Sequence, residues 1–224
     1  MLKDTIGSRI VETIARPPRE VVEEFRKYSA GNASDGMRGG GTMRHEIKPV
    51  YNCGGFVGTA VTLHLSVGDS LLVCKSIEVA QPGDVIVIDA NGTCDNAVWG
   101  DIRSLACKIK GIAGVVIDGA VRDVAGIRET GFPVYARAVT CRSSSKNTHG
   151  EINVPISCGG IPVNPGDIIV ADESGVVAIP PANAEQVLQV CRKKVSSEAL
   201  MRGEALAGKV VPEAFLKQME QLGY

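Results

Sequence analysis

The sequence predicts an α/β fold, and three observations lead to that prediction. Residues 102–109 place apolar side chains at helical spacing, and the run at 113–117 is short, continuous and apolar, as in a strand buried on both faces. Residues 122–135 then repeat the order of helix and strand. A Pro-Gly-Asp turn followed by an apolar strand occurs twice, at 82–89 and at 165–172. Alternation of strand and helix along the chain favours a largely parallel sheet with helices packed on it.

The composition fits one globular domain. The chain has 224 residues, of which 44% are hydrophobic and 22% charged, with a net charge of −1. A near-neutral chain has no large positive field that would attract nucleic acid or an anionic membrane. No apolar run approaches the length of a membrane span, and the first residues lack the apolar core of a signal peptide. The seven cysteines include no C-x-x-C pair, so we expect free thiols in a reducing cytoplasm.

Both ends of the chain are predicted to be helical. We expect an amphipathic helix over about residues 10–30, opened by Pro17-Pro18, and a helical tail over about residues 183–224. We treat residues 1–224 as a single domain. A helical tail beyond a compact core often packs on another subunit, so it indicates an oligomer.

Several conspicuous motifs are interpreted as structural. The glycines at 54–58 resemble a dinucleotide-binding fingerprint, but a strand pattern follows them where the fingerprint needs a helix. His64, alone in that strand, is interpreted as a structural histidine. Asp89 and Asp172 each end a strand and precede an Asp-x-x-Gly turn, which favours turn-forming roles. The polar, basic segment 141–150 could contact an anionic substrate or partner, but it is interpreted as a solvated loop.

Asp101, Arg122 and Asp123 lie where an α/β sheet presents its ligand-binding edge. Asp101 begins a helix, and Arg122 and Asp123 lie just beyond a strand that we expect Asp118-Gly119 to end. Open α/β sheets bind ligands beyond the carboxyl ends of their strands, so the fold would bring the three side chains to one pocket. An alternative stays open, in which Asp101 and Asp123 are helix N-caps and Arg122 is a surface partner.

Two carboxylates and one arginine suit metal-assisted chemistry on a 2-oxo acid. Aspartate oxygens bind hard divalent cations such as Mg²⁺ or Mn²⁺, and arginine pairs with a carboxylate or keto oxygen. The metal would polarise the keto oxygen and stabilise the enolate formed when the adjacent C–C bond breaks. Because Lys108 and Lys110 lie late in the helix, we expect a metal-dependent retro-aldol or decarboxylation reaction and not Schiff-base catalysis.

Six short motifs follow one another along the chain. They are Val57-Gly58-Thr59-Ala60-Val61-Thr62, Pro82-Gly83-Asp84, Trp99-Gly100-Asp101, Asp118-Gly119-Ala120-Val121-Arg122-Asp123, Phe132-Pro133-Val134, and Pro165-Gly166-Asp167 with Asp172 and Gly175-Val176. In this order they resemble the 4-hydroxy-4-methyl-2-oxoglutarate aldolase family, which shares its scaffold with the regulator of ribonuclease activity A. The resemblance runs from about Ser34 to about Pro180. Its signature is an aspartate followed, after twenty residues, by Arg-Asp, and Asp101 and Arg122-Asp123 meet it without a gap.

The resemblance implies a fold, an assembly and an activity. The fold is a swivelling β/β/α-type domain with C-terminal helices, assembled as a trimeric ring that often pairs into a hexamer. The activity is that of a class II pyruvate aldolase, dependent on Mg²⁺ or Mn²⁺, which releases pyruvate from a 4-hydroxy-2-oxo acid and also decarboxylates oxaloacetate. The expected partners are therefore a small oxo acid and further copies of the chain, and neither nucleic acid nor a membrane.

The resemblance also implies roles for the acidic residues and the arginine. Asp123 ligates the metal, and Asp101 holds a metal-bound water. Arg122 binds the pyruvyl group and stabilises the enolate. A glutamate from a neighbouring subunit's C-terminal helix completes the site; Glu198 is the best match, and Glu204 is the alternative.

The helix start at Gly100 is implied to bind the substrate carboxylate through the backbone N–H groups of Ile102 and Arg103, in line with anion binding at helix N-termini. Two positions set this chain apart from its relatives. Regulator-type members often carry glycine where this chain has Asp101, which favours an enzyme. Arg103 stands where the aldolases tend to have an apolar residue, so we expect its charge to influence which acid is accepted.

Two other functions stay open at this point. The chain could bind and inhibit a ribonuclease complex, as the regulators do. In that case its inhibitory activity would survive replacement of Asp123. It could also be a lyase for a different metal-chelating oxo acid. Sequence alone does not identify the physiological substrate.

Overall fold

The computed structural model describes residues 5–224, in which helices surround one large sheet. The helices are α1 (Arg19–Glu24), α2 (Ala30–Gly36), α3 (Val73–Val79), α4 (Asp101–Lys110), α5 (Val124–Thr130), α6 (Ala184–Leu206) and α7 (Glu213–Gln221), with short 3-10 helices at Phe25–Lys27 and Pro181–Asn183. The strands are β1 (Lys48–Pro49), β2 (Phe56–Leu65), β3 (Asp84–Asp89), β4 (Ala97–Trp99), β5 (Gly114–Val121), β6 (Val134–Val139), β7 (Gly150–Ile152), β8 (Ile156–Cys158), β9 (Ile161–Val163), β10 (Ile168–Asp172) and β11 (Gly175–Ile179).

Within residues 5–224, nine of the strands form one mixed sheet. Its order is β1-β6-β5-β3-β2-β10-β11, with β4 paired to β5 and β7 paired to β2. The central strands β2, β3, β5 and β6 run parallel, whereas β10 and β11 are added in antiparallel fashion. The remaining strands, β8 and β9, form a hairpin that packs on one face of the sheet. The predicted α/β class with C-terminal helices is confirmed.

The core lies on both faces of β3 and β5, all of whose residues are buried. On one face, side chains from α3, α4 and α5 (Val73, Cys107 and Ile127) join the core. On the other face, the β8–β9 hairpin contributes Ile156, Cys158 and Val163. Because both faces are covered, these strands have continuous apolar runs and no alternation of polar and apolar residues.

The strand β5 is longer than the sequence indicated. We expected Asp118-Gly119 to end it, but β5 continues to Val121 with every residue buried. Asp118 is tolerated there because Arg137 Nε and the Gly159 N–H donate to its carboxylate at 2.6 and 2.7 Å. The carboxyl end of β5 therefore lies directly before Arg122.

The predicted N-terminal helix over about residues 10–30 is present only in part. The helix α1 begins after Pro18, as expected of a proline at a helix start, but the residues before it are extended along β7. Val11 N–H donates to the Ile152 carbonyl at 3.2 Å, and Ile152 N–H donates to the Arg9 carbonyl at 2.9 Å. Ile10 and Ile14 pack partly buried against the core while Val11 is 43% exposed, so the segment is held by pairing with β7, which helical periodicity alone does not distinguish.

Two helical surfaces expose apolar side chains. The first turns of α6 pack into the core, but the chain beyond them exposes Leu206, Val210, Val211, Phe215, Leu216, Met219 and Leu222. The apolar stripe of α4 also faces outward, since Ile102 and Ile109 are 80% and 79% exposed while Ser104 and Cys107 are buried. Within the described residues, no helix is both long and apolar enough to cross a membrane.

Candidate active site

Pairing of β4 with β5 brings the two parts of the Asp and Arg-Asp signature together. Trp99 lies opposite Val121 in the register of these parallel strands, and the Arg122 N–H donates to the Trp99 carbonyl at 3.0 Å. The chain leaves β4 into Asp101 and leaves β5 into Arg122 and Asp123. The twenty residues between Asp101 and Arg122 therefore form α4 and β5, which lead the chain away from the pocket and back to it.

Trp99 anchors the start of α4. Its side chain is 1% exposed and stacks on Phe132, with ring centroids 6.5 Å apart. Its Nε1 donates to Ser104 Oγ at 2.8 Å, and Ser104 Oγ donates to the Gly100 carbonyl at 3.0 Å. These contacts fix the first turn of α4 and with it the position of Asp101.

Neither aspartate of the signature serves as a side-chain helix cap. Asp101 is the first residue of α4, and Gly100 holds the N-cap position. Asp123 holds the N-cap position of α5, but its side chain makes no capping hydrogen bond. Asp123 also has a φ of 57°, a left-handed conformation that costs a non-glycine residue on the order of 1 kcal/mol. Asp123 thus holds the N-cap position that the sequence indicated but does not cap α5 through its side chain, and its strained backbone is of the kind that clusters at functional sites.

Two glycines leave room for these carboxylates. A Cβ added at Gly100 would lie 2.8 Å from Asp123 Oδ2, and one added at Gly126 would lie 2.7 Å from Asp101 Oδ2. Real Cβ atoms do not approach so closely, so a side chain at either position would displace the carboxylate. Glycine at 126 thus allows α5 to pack closely on the start of α4.

The predicted residues line one pocket of about 260 Å³, which contains Gly100, Asp101, Ile102, Arg103, Arg122 and Asp123. Arg122 Nε lies 3.1 Å from Asp123 Oδ2, and the two side chains are 46% and 44% exposed. An ion pair with that exposure contributes little to stability, so both partners are available to a ligand.

The N-terminus of α4 opens on this pocket, where its backbone dipole favours an anion. The Ile102 N–H already donates to Asp101 Oδ1 at 2.8 Å. A substrate carboxylate bound at this amide would therefore take the place of Asp101 as the acceptor.

Glu198 and Glu204 lie on α6, outside the residues that line the pocket. Asn32 Nδ2 donates to Glu198 Oε1 at 3.4 Å, where α2 contacts α6. Within one chain the structure thus separates these glutamates from Asp101 and Asp123. No group of three or more His, Cys, Asp or Glu side chains in the described part of the chain is arranged to hold a metal ion.

The donor set of the pocket nevertheless fits a hard divalent cation. Asp123 is 44% exposed and its carboxylate is not used in capping, so its oxygens have capacity for a further ligand. Mg²⁺ keeps several waters and needs only one or two protein carboxylates, which Asp123 and Asp101 supply. Oxygen donors of this kind favour Mg²⁺ or Mn²⁺ over softer metals.

The segment 141–150, interpreted above as a solvated loop, also lines the pocket through Ser143, Ser144 and Lys146. Asp69 holds it in place by accepting hydrogen bonds from Ser145 Oγ at 2.7 Å and from the backbone of residues 147 and 148. Burial opposes the ionisation of Asp69, but these hydrogen bonds outweigh it and lower its pKa. The polar, basic composition of the segment was the sequence signal for this role.

A second charged group, here called the cross-strand cluster, consists of His64, Asp89, Asp118 and Arg137 on adjacent strands. His64 Nδ1 lies 2.9 Å from Asp89 Oδ2, and Arg137 Nε lies 2.6 Å from Asp118 Oδ1. Asp89 Oδ1 accepts the Asn91 N–H at 2.8 Å, which is the predicted turn-forming role. The protein itself satisfies both carboxylates, so this cluster is structural.

The mixed sheet, the C-terminal helices and the pocket at the β5–α5 turn define an RraA-like α/β domain. Residues 30–178 match the family model described as RraA-like, Aldolase/RraA. The chain belongs to this family.

Named relatives and solved structures agree with that assignment. A protein of Halalkalibacterium halodurans named "Putative 4-hydroxy-4-methyl-2-oxoglutarate aldolase" is 41% identical over 201 residues, which cover 89% of this chain and 95% of that protein. A 4-hydroxy-4-methyl-2-oxoglutarate aldolase of Thermus thermophilus is 37% identical over 125 residues, covering 56% and 76%. The crystal structure of Streptomyces coelicolor RraAS2, described as an unusual member of the RNase ES inhibitor RraA protein family, has a TM-score of 0.77 at 27% identity and covers 85% of this chain and 99% of its own.

Proposed function

We propose that this protein is a divalent-metal-dependent lyase that releases pyruvate from a 4-hydroxy-2-oxo acid such as 4-hydroxy-4-methyl-2-oxoglutarate. The same pocket would decarboxylate oxaloacetate, because both reactions break the C3–C4 bond and leave the enolate of pyruvate. The observation that carries the proposal is the convergence of Asp101, Arg122 and Asp123 on one pocket, with neither carboxylate used as a helix cap. The names of the aldolase relatives support the same reaction class.

The family resemblance implies a role for each residue, and the chemistry of each side chain agrees with it. Asp123 would hold Mg²⁺ or Mn²⁺ directly, and Asp101 would hold it through water. Bound there, the metal supplies Lewis-acid stabilisation of negative charge on the keto oxygen. Arg122 would bind the carboxylate or keto oxygen of the pyruvyl group through its planar guanidinium and stabilise the enolate. The N-terminus of α4, at Ile102 and Arg103, orients the substrate carboxylate.

We also propose that the chain assembles into a trimer or hexamer whose neighbouring subunit supplies Glu198, or alternatively Glu204, to this pocket. Two observations support it. The outward apolar stripe of α4 and the apolar side chains of α7 have no cover within the described chain. Both glutamates lie on the C-terminal helix α6, outside the pocket of their own chain.

We place the protein in the reducing cytoplasm. The seven cysteines at 53, 74, 94, 107, 141, 158 and 191 are all free thiols. Cys107 and Cys158 are buried, so burial raises the pKa of both thiols and keeps them unreactive.

The test is pyruvate release from 4-hydroxy-4-methyl-2-oxoglutarate and from oxaloacetate, measured with Mg²⁺, with Mn²⁺ and with EDTA. The wild-type chain is compared with Arg122→Ala and with Arg128→Ala, a control that removes an arginine from α5 outside the pocket. Spontaneous and metal-catalysed decay of oxaloacetate is subtracted. Turnover that needs both the metal and Arg122 supports the proposal. Failure to release pyruvate from either acid above background would overturn it.

A second candidate function is inhibition of a ribonuclease, which the likeness to RraAS2 favours. It is tested by adding the wild-type chain and Asp123→Ala to a ribonuclease of the E type. Equal inhibition by both proteins, together with no pyruvate release, would favour the regulator over the lyase. The absence of inhibition by either protein excludes this candidate.

A further inference from the structure

Arg103 is the residue of the pocket whose side chain the proposed function leaves unexplained. It lies two residues beyond Asp101 on α4, and it is partly buried in the pocket wall. Its Nη1 donates to the Val98 carbonyl, and its Nη2 donates to the carbonyl and hydroxyl oxygens of Ser70 at 3.3 and 3.1 Å. The guanidinium is therefore held in one orientation.

None of these partners is an anion. Besides the Val98 and Ser70 oxygens, the guanidinium contacts the Cys74 thiol. An arginine stays protonated, and a buried charge without a counter-ion is costly unless a ligand supplies one. The pocket wall thus carries a positive charge that residues 5–224 do not neutralise through a direct carboxylate contact.

The surroundings of Arg103 are rigid. Ser70 is 1% exposed, and its hydroxyl accepts from Arg103 and from Ser144 Oγ, the latter at 2.7 Å. Ser144 in turn belongs to the loop that Asp69 fixes through the following residues. Two elements remote in sequence therefore hold Arg103 in place, as expected for a preorganised binding group.

The charges of the pocket favour a doubly charged ligand. Arg103, Arg122 and Lys146 line it together with the carboxylates of Asp101 and Asp123, so its net charge is already +1 before a divalent cation is added. A divalent cation and the glutamate proposed from the neighbouring subunit would together bring the charge to +2, which a dianion balances and a monoanion leaves partly uncompensated. Because Arg122 is assigned to the pyruvyl end of the substrate, Arg103 and Lys146 remain for a second anionic group. Of these two, Arg103 is the one that hydrogen bonds to Val98 and Ser70 hold in place.

We propose that Arg103 is a specificity-determining residue that binds a second carboxylate of the substrate, the one attached to C4. It thereby selects dicarboxylic over monocarboxylic 4-hydroxy-2-oxo acids. This inference rests on the proposed lyase function. The carboxylate would receive charge-assisted hydrogen bonds from the guanidinium, at a position fixed by Ser70 and Ser144.

The test compares two acids that differ in one group. In 4-hydroxy-4-methyl-2-oxoglutarate C4 bears a carboxylate, and in 4-hydroxy-4-methyl-2-oxopentanoate a methyl group replaces it. For Arg103→Met we expect kcat/KM on the dicarboxylic acid to fall on the order of 100-fold, mostly through KM. We expect kcat/KM on the monocarboxylic acid to change by less than about 3-fold.

Lys108→Met is the matched control, because it removes one positive charge from the far end of the same helix. It should leave unchanged the ratio of kcat/KM on the dicarboxylic acid to kcat/KM on the monocarboxylic acid.

Ser144→Ala perturbs the same subsite without removing Arg103, and should lower that ratio about 5-fold. If Arg103→Met does not fold, the Ser144→Ala ratio decides the question. Equal losses on both acids, or an unchanged ratio, would overturn this inference alone. No turnover of either acid by the wild-type chain would overturn the lyase function and this inference with it.

Discussion

Two arginine–aspartate pairs adjoin β5, and they lie in opposite environments. Arg122–Asp123, in the pocket, spans 3.1 Å with side chains 46% and 44% exposed, whereas Arg137–Asp118, in the cross-strand cluster, spans 2.6 Å with side chains 17% and 9% exposed. The second oxygen of Asp118 accepts the Gly159 N–H, but Asp123 makes no capping bond. The same two residue types thus form a saturated structural pair in one place and a pair with spare capacity in the other.

The backbone conformations of the two aspartates also differ. Asp118 lies in a regular buried strand, whereas Asp123 is held in the left-handed region at a turn. The comparison teaches that donors supplied by the protein itself, and not residue identity, decide whether a carboxylate is left for a ligand.

The largest expected difference is in turnover. Asp123→Asn removes a metal-binding charge from the pocket and should lower kcat/KM for oxo-acid cleavage on the order of 10³-fold. Asp118→Asn makes the same chemical change in the cross-strand cluster and should leave kcat/KM within about 10-fold of the wild type. Steady-state assays of pyruvate release on both purified variants check this. Similar losses in both would show that the two pairs do not differ in function.

The next largest difference is expected in stability, where the pair in the cross-strand cluster should be the more sensitive of the two. Arg137→Met leaves Asp118 buried without its charged partner and should lower the free energy of unfolding by about 3 kcal/mol. Arg122→Met breaks an exposed pair and should cost no more than about 1 kcal/mol. Urea unfolding followed by circular dichroism measures both values. An equal cost for the two variants would contradict the contrast in burial.

A smaller effect is expected where a glycine gives Asp101 its room. Gly126→Ala should lower turnover on the order of 10-fold, because the added Cβ would meet Asp101 Oδ2 at 2.7 Å and displace it. The matched control is Gly31→Ala in α2, where an added Cβ would meet only Ser29 Oγ, at an ordinary contact distance of 3.5 Å. That variant should gain roughly 0.5–1 kcal/mol of stability and keep full turnover. Unchanged turnover in Gly126→Ala would show that the position of Asp101 is not critical.

The smallest effect concerns pH and the cross-strand cluster. The hydrogen bond with Asp89 raises the pKa of His64, and burial opposes it. The stability that this pair adds is therefore fully present below the ordinary histidine pKa and is lost as pH rises through the raised value. Urea unfolding measures the free energy of unfolding at pH about 5.5 and about 8.5. Its decrease between the two pH values should be smaller in His64→Gln than in the wild type. His45→Gln is the control variant, because the side chain of His45 is 90% exposed. The same pH dependence in all three proteins would remove His64 as the cause.

Much of the site region could be predicted because its signals are local. The apolar spacing and the Lys–Gly end of α4, the continuous apolar run of β5 and the Gly131 end of α5 all agree with the structure. The end of β5 could not be predicted, since Asp118 is buried only because Arg137 and Gly159, remote in sequence, donate to it. The lining role of Ser144 and Lys146 was missed for a similar reason, because Asp69 holds their loop.

By itself the sequence determined the α/β class, the order of helix and strand from α4 to β6, and the Asp101, Arg122 and Asp123 signature. Spacing along one element encodes which of its side chains share a face, and that information is local. The tertiary structure alone decided that Asp123 does not cap α5, that Gly126 packs against Asp101, and that the apolar stripe of α4 faces outward. These outcomes depend on which elements become neighbours, and that is fixed by packing between segments distant in the chain.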